Sequence, residues 1–185
     1  NKEEIMPKKI VVAHCSPRAG GNSSMLADEF IRGAEEAGNE VVRMDVGRAD
    51  IHGCKACEYC FTHEGACVQQ DDMQTFYPDL QDADVLVYAT PMYCYNMPAQ
   101  MRAFEDRMFC QVGKPFTITQ TALLLCFEDK DITTADAAIG TFRQGAQFCK
   151  REILGEVIVN NVYAKGAIAG NPGLEEAYRL GLSIS

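Results

Sequence analysis

Two kinds of apolar run alternate along this chain. Lys9-Ile-Val-Val-Ala-His14 and Ala83-Asp-Val-Leu-Val-Tyr-Ala89 are short and almost unbroken, as expected of strands buried on both faces. Further strands are predicted at 40–46, 119–127 and 156–163. Between them, apolar residues recur at helical spacing. Leu26, Phe30 and Ala34 mark a helix over 25–38, with Gly38 as its stop. Other helices are predicted over 72–80, capped by Asp71 or Asp72, over 98–109 with Pro98 in the first turn, over 135–154 and over 174–182. Residues 47–71 have no period. Irregular segments this long are uncommon and usually functional.

Strands that alternate with helices predict an α/β domain, a three-layer sandwich with helices on both faces of a parallel sheet. For five strands, the flavodoxin-like order 2-1-3-4-5 is expected, with ligands bound beyond the C-terminal strand ends near the switch between the first and third strands. Three segments fall there: 15–24, 90–97 and 126–130. The chain reads as a single domain over 1–185, with a cysteine-rich insertion at about 47–71.

Composition narrows the function. A chain of 185 residues buries roughly 70% of its unfolded surface and needs no disulfides. The net charge of −9 argues against nucleic acid or an anionic membrane as partner, since both want a basic face. No apolar run approaches the ~20 residues of a membrane span. The N-terminal stretch 1–9 is polar and lacks the core of a signal peptide. Nine cysteines without secretion signals imply a reducing cytoplasm, with free or metal-bound thiols.

The segment Ser16-Pro-Arg-Ala-Gly-Gly-Asn-Ser-Ser24 leads from the first strand into a helix. Open first-turn N–H groups and the helix dipole favour an anion there, and Arg18 adds charge-assisted hydrogen bonds. Ser16, Arg18, Asn22, Ser23 and Ser24 are the candidate phosphate ligands. The loop is neither a Walker loop nor G-x-G-x-x-G, so ATP and Rossmann dinucleotides are not indicated. A plain helix cap by Asn22 or Ser23 is the bland alternative.

Pro91-Met-Tyr-Cys-Tyr-Asn-Met97 follows the third strand. Its tyrosine faces and methionines suit a planar isoalloxazine, and its bland reading is aromatic packing or a dimer contact. Together the two loops suit the two ends of one FMN.

Four cysteines, Cys54, Cys57, Cys60 and Cys67, follow a C-x2-C-x2-C-x6-C spacing. The first three keep the rhythm of bacterial ferredoxins. A 4Fe–4S cluster, a zinc ion and free or disulfide-bonded thiols all fit the spacing. His63 within the loop is a solvated histidine or a substitute ligand. Cys15, Cys110, Cys126 and Cys149 read as packing residues; Cys126 also heads the turn beside the expected flavin. Cys94 lies in the proposed flavin wall. His14 reads as packed.

Ser16-Pro-Arg with Gly21-Asn22-Ser23, Gly53-Cys-x-x-Cys-x-x-Cys with Gly65-x-Cys67 and Asp71-Asp-Met73, Pro91-x-Tyr93, and Phe104-x-Asp106-Arg107 form an ordered set. It resembles the NADPH-dependent FMN reductase-like branch of the flavodoxin superfamily, and most of all the iron–sulfur flavoproteins of anaerobic microbes. The resemblance covers 9 to about 165 and implies FMN, a homodimer or homotetramer, and one 4Fe–4S cluster passing electrons to FMN, often across a subunit interface. It implies that Ser16, Arg18, Asn22 and Ser23 hold the phosphate, that Pro91, Met92, Tyr93 and Asn96 line the ring, and that Cys54, Cys57, Cys60 and Cys67 bind the cluster. Two features depart from the pattern. No Pro follows Cys67, and the usual Gly-rich turn after the fourth strand reads Cys126-Phe-Glu-Asp-Lys130.

The expected function is therefore that of an FMN-dependent oxidoreductase of the iron–sulfur flavoprotein type. NAD(P)H is a candidate donor, and a ferredoxin-like protein or a small molecule a candidate partner. The rivals are an NAD(P)H-dependent FMN or quinone reductase without a cluster, a flavodoxin-like carrier that only shuttles electrons, and a metal-tethered binding module without flavin.

Overall fold

In a computed structural model, which describes residues 6–185, the strands are β1 (Lys9–His14), β2 (Glu40–Met44), β3 (Val85–Pro91), β4 (Gln120–Cys126) and β5 (Glu152–Val159). Residues 1–5, part of the polar N-terminal stretch, lie outside the described set. The helices are α1 (Asn22–Glu36), α2 (Tyr59–Thr62), α3 (Met73–Asp82), α4 (Ala99–Arg107), α5 (Asp136–Phe148) and α6 (Pro172–Leu182). Tight 3-10 turns follow α4 at Met108–Val112 and precede α5 at Ile132–Ala135. The strands form one sheet in the order β2-β1-β3-β4-β5, with every pair parallel. This is the expected flavodoxin-like arrangement.

Alternation along the central strands builds two cores. Ile10, Val12, Val85, Val87 and Leu124 face α1 and α6, where they meet Leu26, Phe30 and Ala177. Val11, Ala13, Leu86, Leu123 and Leu125 face α3, α4 and α5, where they meet Leu80, Phe104 and Phe142. Each fully buried Leu, Ile, Val or Phe contributes about 1.5–3 kcal/mol, so the three middle strands are held from both sides. The hydrogen bond from Cys15 N–H to Ala89 O (2.8 Å) carries the β1–β3 pairing to the mouth of the sheet.

Three boundaries differ from the sequence reading. Helix α1 begins at Asn22, three residues early, because Asn22, Ser23 and Ser24 are turned inward as its buried first turn. Helix α5 stops at Phe148 rather than at 154, and Lys150 takes a left-handed φ of 56° that starts the descent into β5. Ile153 and Leu154 belong to that strand, although they continue the apolar rhythm of the helix. Strand β5 correspondingly ends at Val159, which leaves 160–163 as loop.

Helices α1 and α6 touch backbone to backbone. A Cβ on Gly181 would lie 2.1 Å from Phe30 O, and one on Gly33 would lie 2.1 Å from Tyr178 O. Glycine is required at this crossing. At the end of β1, His14 is buried, with Nε2 3.0 Å from Ser24 Oγ and Nδ1 3.2 Å from Asp45 Oδ1. Burial, followed by the charge of Arg43, lowers its pKa from the ordinary 6.5 despite the hydrogen bond to Asp45.

Gly181→Ala should cost about 1–3 kcal/mol through overpacking, seen as a lower urea midpoint at constant m value; an unchanged midpoint would refute the contact. For His14, the folded state binds a proton less readily than the unfolded chain. Stability should be full above pH 6.5 and decline as the pH falls through the lowered folded pKa. Thermal melts between pH 8 and 5 should show this decline, and His14→Gln should make it shallower.

Candidate functional site

A cavity of about 240 Å³ opens beyond the C-terminal ends of β1, β3 and β4. Ser16, Arg18, Gly21, Asn22 and Ser23 line one side, and Pro91, Met92 and Tyr93 another. Cys126, Phe127 and Glu128 come from the end of β4. Two segments far apart in sequence thus meet at one concavity.

Helix α1 starts from Gly21 with no side-chain cap. Its first-turn N–H groups have no acceptor within the helix, so the positive end of the dipole stands open at the cavity. Ser16 Oγ accepts from Arg18 N–H (3.2 Å), which folds the loop and leaves the Arg18 side chain exposed. An exposed guanidinium at an uncapped helix start is an anion cradle.

Asn22 and Ser24 do other work with their side chains. Asn22 Nδ2 donates to Val162 O (3.3 Å) and Ala164 O (3.0 Å), and its Oδ1 accepts from Ile168 N–H (3.3 Å). It stitches the loop after β5 to α1 and presents only backbone to the cavity. The Ser24 hydroxyl is bonded to His14 and does not line the cavity.

That stitched loop supplies two further lining residues, Tyr163 and Lys165. Lys165 Cε passes 3.5 Å from where a Cβ on Gly20 would lie, which puts a second cation over the glycine turn. The sequence reading missed both because it ran β5 to 163. With the strand ending at Val159, they fall at a C-terminal strand end like the other three loops.

Tyr93 and Asn96 pair their backbones in both directions (2.8 and 3.1 Å), with Cys94 and Tyr95 between them at φ 49° and 65°. A tight turn with two positive-φ residues normally takes Asn or Gly; here it projects Tyr95 into solvent, 67% exposed. The Asn96 side chain braces this turn, accepting from Met97 N–H (2.8 Å) and reaching Thr141 Oγ1 (3.4 Å), and it does not line the cavity. A second cavity of about 600 Å³ shares Met92, Phe127, Glu128 and Tyr163 with the first and adds Cys94, Tyr95 and Asp129. The Cys126 thiol is pushed up to about 12 by burial, partly offset by Ser23, so it is an inert floor.

The long loop builds a separate cavity of about 220 Å³. Cys54, Cys57, Cys60 and Cys67 all line it, walled by Phe61, Val68 and Phe109. A fifth thiol, Cys110, arrives from the 3-10 turn after α4, a contact that sequence spacing could not reveal. Left-handed residues Ala56 and Glu58 (φ 51° and 57°) turn the chain between the cysteines. Ala56 N–H points at Cys54 Sγ (3.4 Å). All nine cysteines are free thiols.

Burial, and then the neighbouring Cys67, Cys54 and Cys57, raise the Cys60 pKa. The four sulfurs are close enough to repel as thiolates. Bound metal reverses that logic, since coordinating thiols are deprotonated. Among the described residues no three His, Cys, Asp or Glu side chains converge on one point as a single ion would require. His63 is outside the cavity, stacked 3.6 Å from Tyr59.

The loop is anchored from below. Asp71 Oδ1 accepts from Met73 N–H (3.2 Å) at the start of α3, and Oδ2 accepts from His52 N–H (3.1 Å) and from Arg107. Burial pushes the Asp71 carboxyl up, but the Arg107 and backbone hydrogen bonds outweigh it and hold the pKa below the ordinary range. Gln74 Nε2 donates to Cys67 O (3.1 Å) and Gln69 O (2.6 Å), which fixes the far end.

Residues 8–137 match the family model for NADPH-dependent FMN reductase. An iron–sulfur flavoprotein of Archaeoglobus fulgidus is 37% identical over 100 residues, 54% of this chain and 45% of that protein. An iron–sulfur flavoprotein of Methanosarcina thermophila is 29% identical over 175 residues, 91% of this chain and 85% of that one. The chain therefore spans about half the length of the Archaeoglobus relative and most of the Methanosarcina one. Among solved structures, an NAD(P)H:quinone oxidoreductase from Methanothermobacter marburgensis superposes with a TM-score of 0.77 at 16% identity, covering 96% of each chain, a likeness of fold. The model match extends over well over half of the sequence, and the chain belongs to the NADPH-dependent FMN reductase family.

Proposed function

We propose that this chain is an FMN-dependent oxidoreductase of the iron–sulfur flavoprotein type. The observation that carries the reading is the joint lining of one cavity by an uncapped helix start, Arg18 and Lys165, and the Pro91–Met92–Tyr93 wall. The donor set fits the group: cations and open N–H groups for a phosphate, and apolar and aromatic faces for a ring. When bound, FMN supplies both hydride and single-electron chemistry.

The chain's own residues position and tune. First-turn N–H groups, Ser16, Ser23 and Arg18 hold the phosphate, joined by Lys165. Asn22 and Ser24 act indirectly, by fixing the loop after β5 and by packing on His14. Pro91, Met92 and Tyr93 line the ring, Asn96 holds their turn in shape, and Cys126 closes the floor. Glu128 and Asp129 at the mouth disfavour added negative charge on the ring. The adjoining cavity is open to a nicotinamide donor or a small acceptor, and a ferredoxin-like protein is the alternative electron partner.

The cysteine loop is the second centre in this reading. Its thiols line a cavity rather than close on a point, which suits a 4Fe–4S cluster better than one tetrahedral zinc. Phe109 and Phe148, 48% and 81% exposed, flank a cavity lined by α4 and α5, which supports a homodimer or homotetramer. Nine free thiols support a reducing, cytoplasmic setting. A cluster-free NAD(P)H-dependent FMN or quinone reductase is the second reading, favoured by the exposure of Cys54 and Cys57.

Protein purified without oxygen should show a flavin spectrum and carry FMN, iron and sulfide. Flavin without iron or sulfide selects the second reading, and no flavin overturns both. Arg18→Ala and Lys165→Ala should each weaken FMN binding roughly tenfold, measured by quenching of flavin fluorescence. Unchanged affinity in both variants would remove the phosphate cradle.

A further inference from the structure

Arg107 ends α4 with its side chain fully enclosed, against the cysteine cavity. Only Nη1 is satisfied: it donates to His52 O (3.1 Å) and to the Asp71 carboxylate, itself 3% exposed. Nε and Nη2 are buried and find no acceptor among the described residues. Bracing the loop through Asp71 accounts for one nitrogen of three. Donors left unmade on a buried charged group are a costly defect, and a native site that carries them calls for an acceptor.

The surroundings say what kind. The cavity walls are mostly apolar, and Cys67 and Tyr77 lie close enough to act on the guanidinium. A neutral thiol is a weak acceptor; a metal-bound thiolate or an inorganic sulfide is a strong one. Apart from the exposed Lys55, Arg107 is the only cation lining the cavity among the described residues. It cannot lose its proton.

We propose that Nε–H and Nη2–H of Arg107 donate to sulfur atoms of an anionic iron–sulfur centre in the cysteine loop, and that this contact raises the centre's reduction potential. The inference rests on the cluster reading above. One-electron reduction adds one negative charge to the cavity. A fixed cation and its N–H groups stabilise that extra charge more than they stabilise the oxidised state. Arg107 is thus a positioning and tuning residue.

The test uses the cluster-loaded protein and two conservative variants. Arg107→Lys keeps a cation for Asp71 but removes the forked donors; Asp71→Asn keeps the donors but removes a nearby negative charge. In dithionite titrations followed by EPR, Arg107→Lys should lower the midpoint by a tenfold change in the equilibrium constant, 59 mV for one electron. Asp71→Asn should raise it. If Arg107 only braces the loop, the two potentials move together or not at all, which would overturn the proposal.

Should Arg107→Lys fail to fold, the wild-type protein decides. Labelled with 15N-arginine and reduced, it should show 15N coupling to the centre in pulsed EPR. Iron and sulfide with no such coupling would sink the role of Arg107 and leave the cluster reading standing. Wild-type protein without iron and sulfide would sink the cluster reading and this role with it.

Discussion

The pairing of β1 with β3 is the constraint on which the rest depends. The chain leaves β1, builds α1 and β2 to one side, then returns across β1 to lay down β3 on the other. Beyond the last shared hydrogen bond, Cys15 to Ala89, the two following loops must diverge. The gap they leave is the cavity between Ser16 and Pro91. No residue there had to evolve a cleft; the strand order supplies one. Side chains decide only what the cleft holds, and here they offer cations on one side and aromatic faces on the other.

The cysteine loop obeys a different rule. It leaves the sheet after β2 and returns at α3, so the sheet does not shape it. Its form comes from a few buried polar ties to the underside of α4: Arg107 to Asp71 and His52, Tyr77 to Arg107 O, Gln74 to Cys67 O. A buried ion pair is weak evidence for stability but a good device for fixing one register among many. That is the role an irregular 25-residue excursion between Val46 and Asp72 most requires.

Much of this was legible in the sequence. The runs at 9–14 and 83–89 are too short and too apolar to be anything but central strands, and the strand-helix alternation then leaves few topologies. Gly38 announces the end of α1 because glycine is the usual left-handed residue, and it takes φ 91°. Lys150 takes the same region with nothing in its chemistry to signal it, so α5 seemed to run on into β5. That error hid Tyr163 and Lys165 inside a strand. The roles of Asn22, Ser24 and Asn96 were misjudged for another reason. A short polar side chain at a loop can serve a ligand or the loop itself, and only three-dimensional partners tell which. Cys110 and the unpaired nitrogens of Arg107 lie beyond any spacing rule.

The open start of α1 also bears on how much of the protein stands folded. A glycine cap in place of Ser or Asn costs only a few tenths of a kcal/mol. An anion held there at a hundred times its Kd adds about 2.7 kcal/mol by mass action. The stability of the chain is then partly a function of cofactor supply. Newly made protein in a starved cell is more exposed to proteolysis than the same chain in a replete one, and the apparent half-life of the protein becomes a readout of the free cofactor pool.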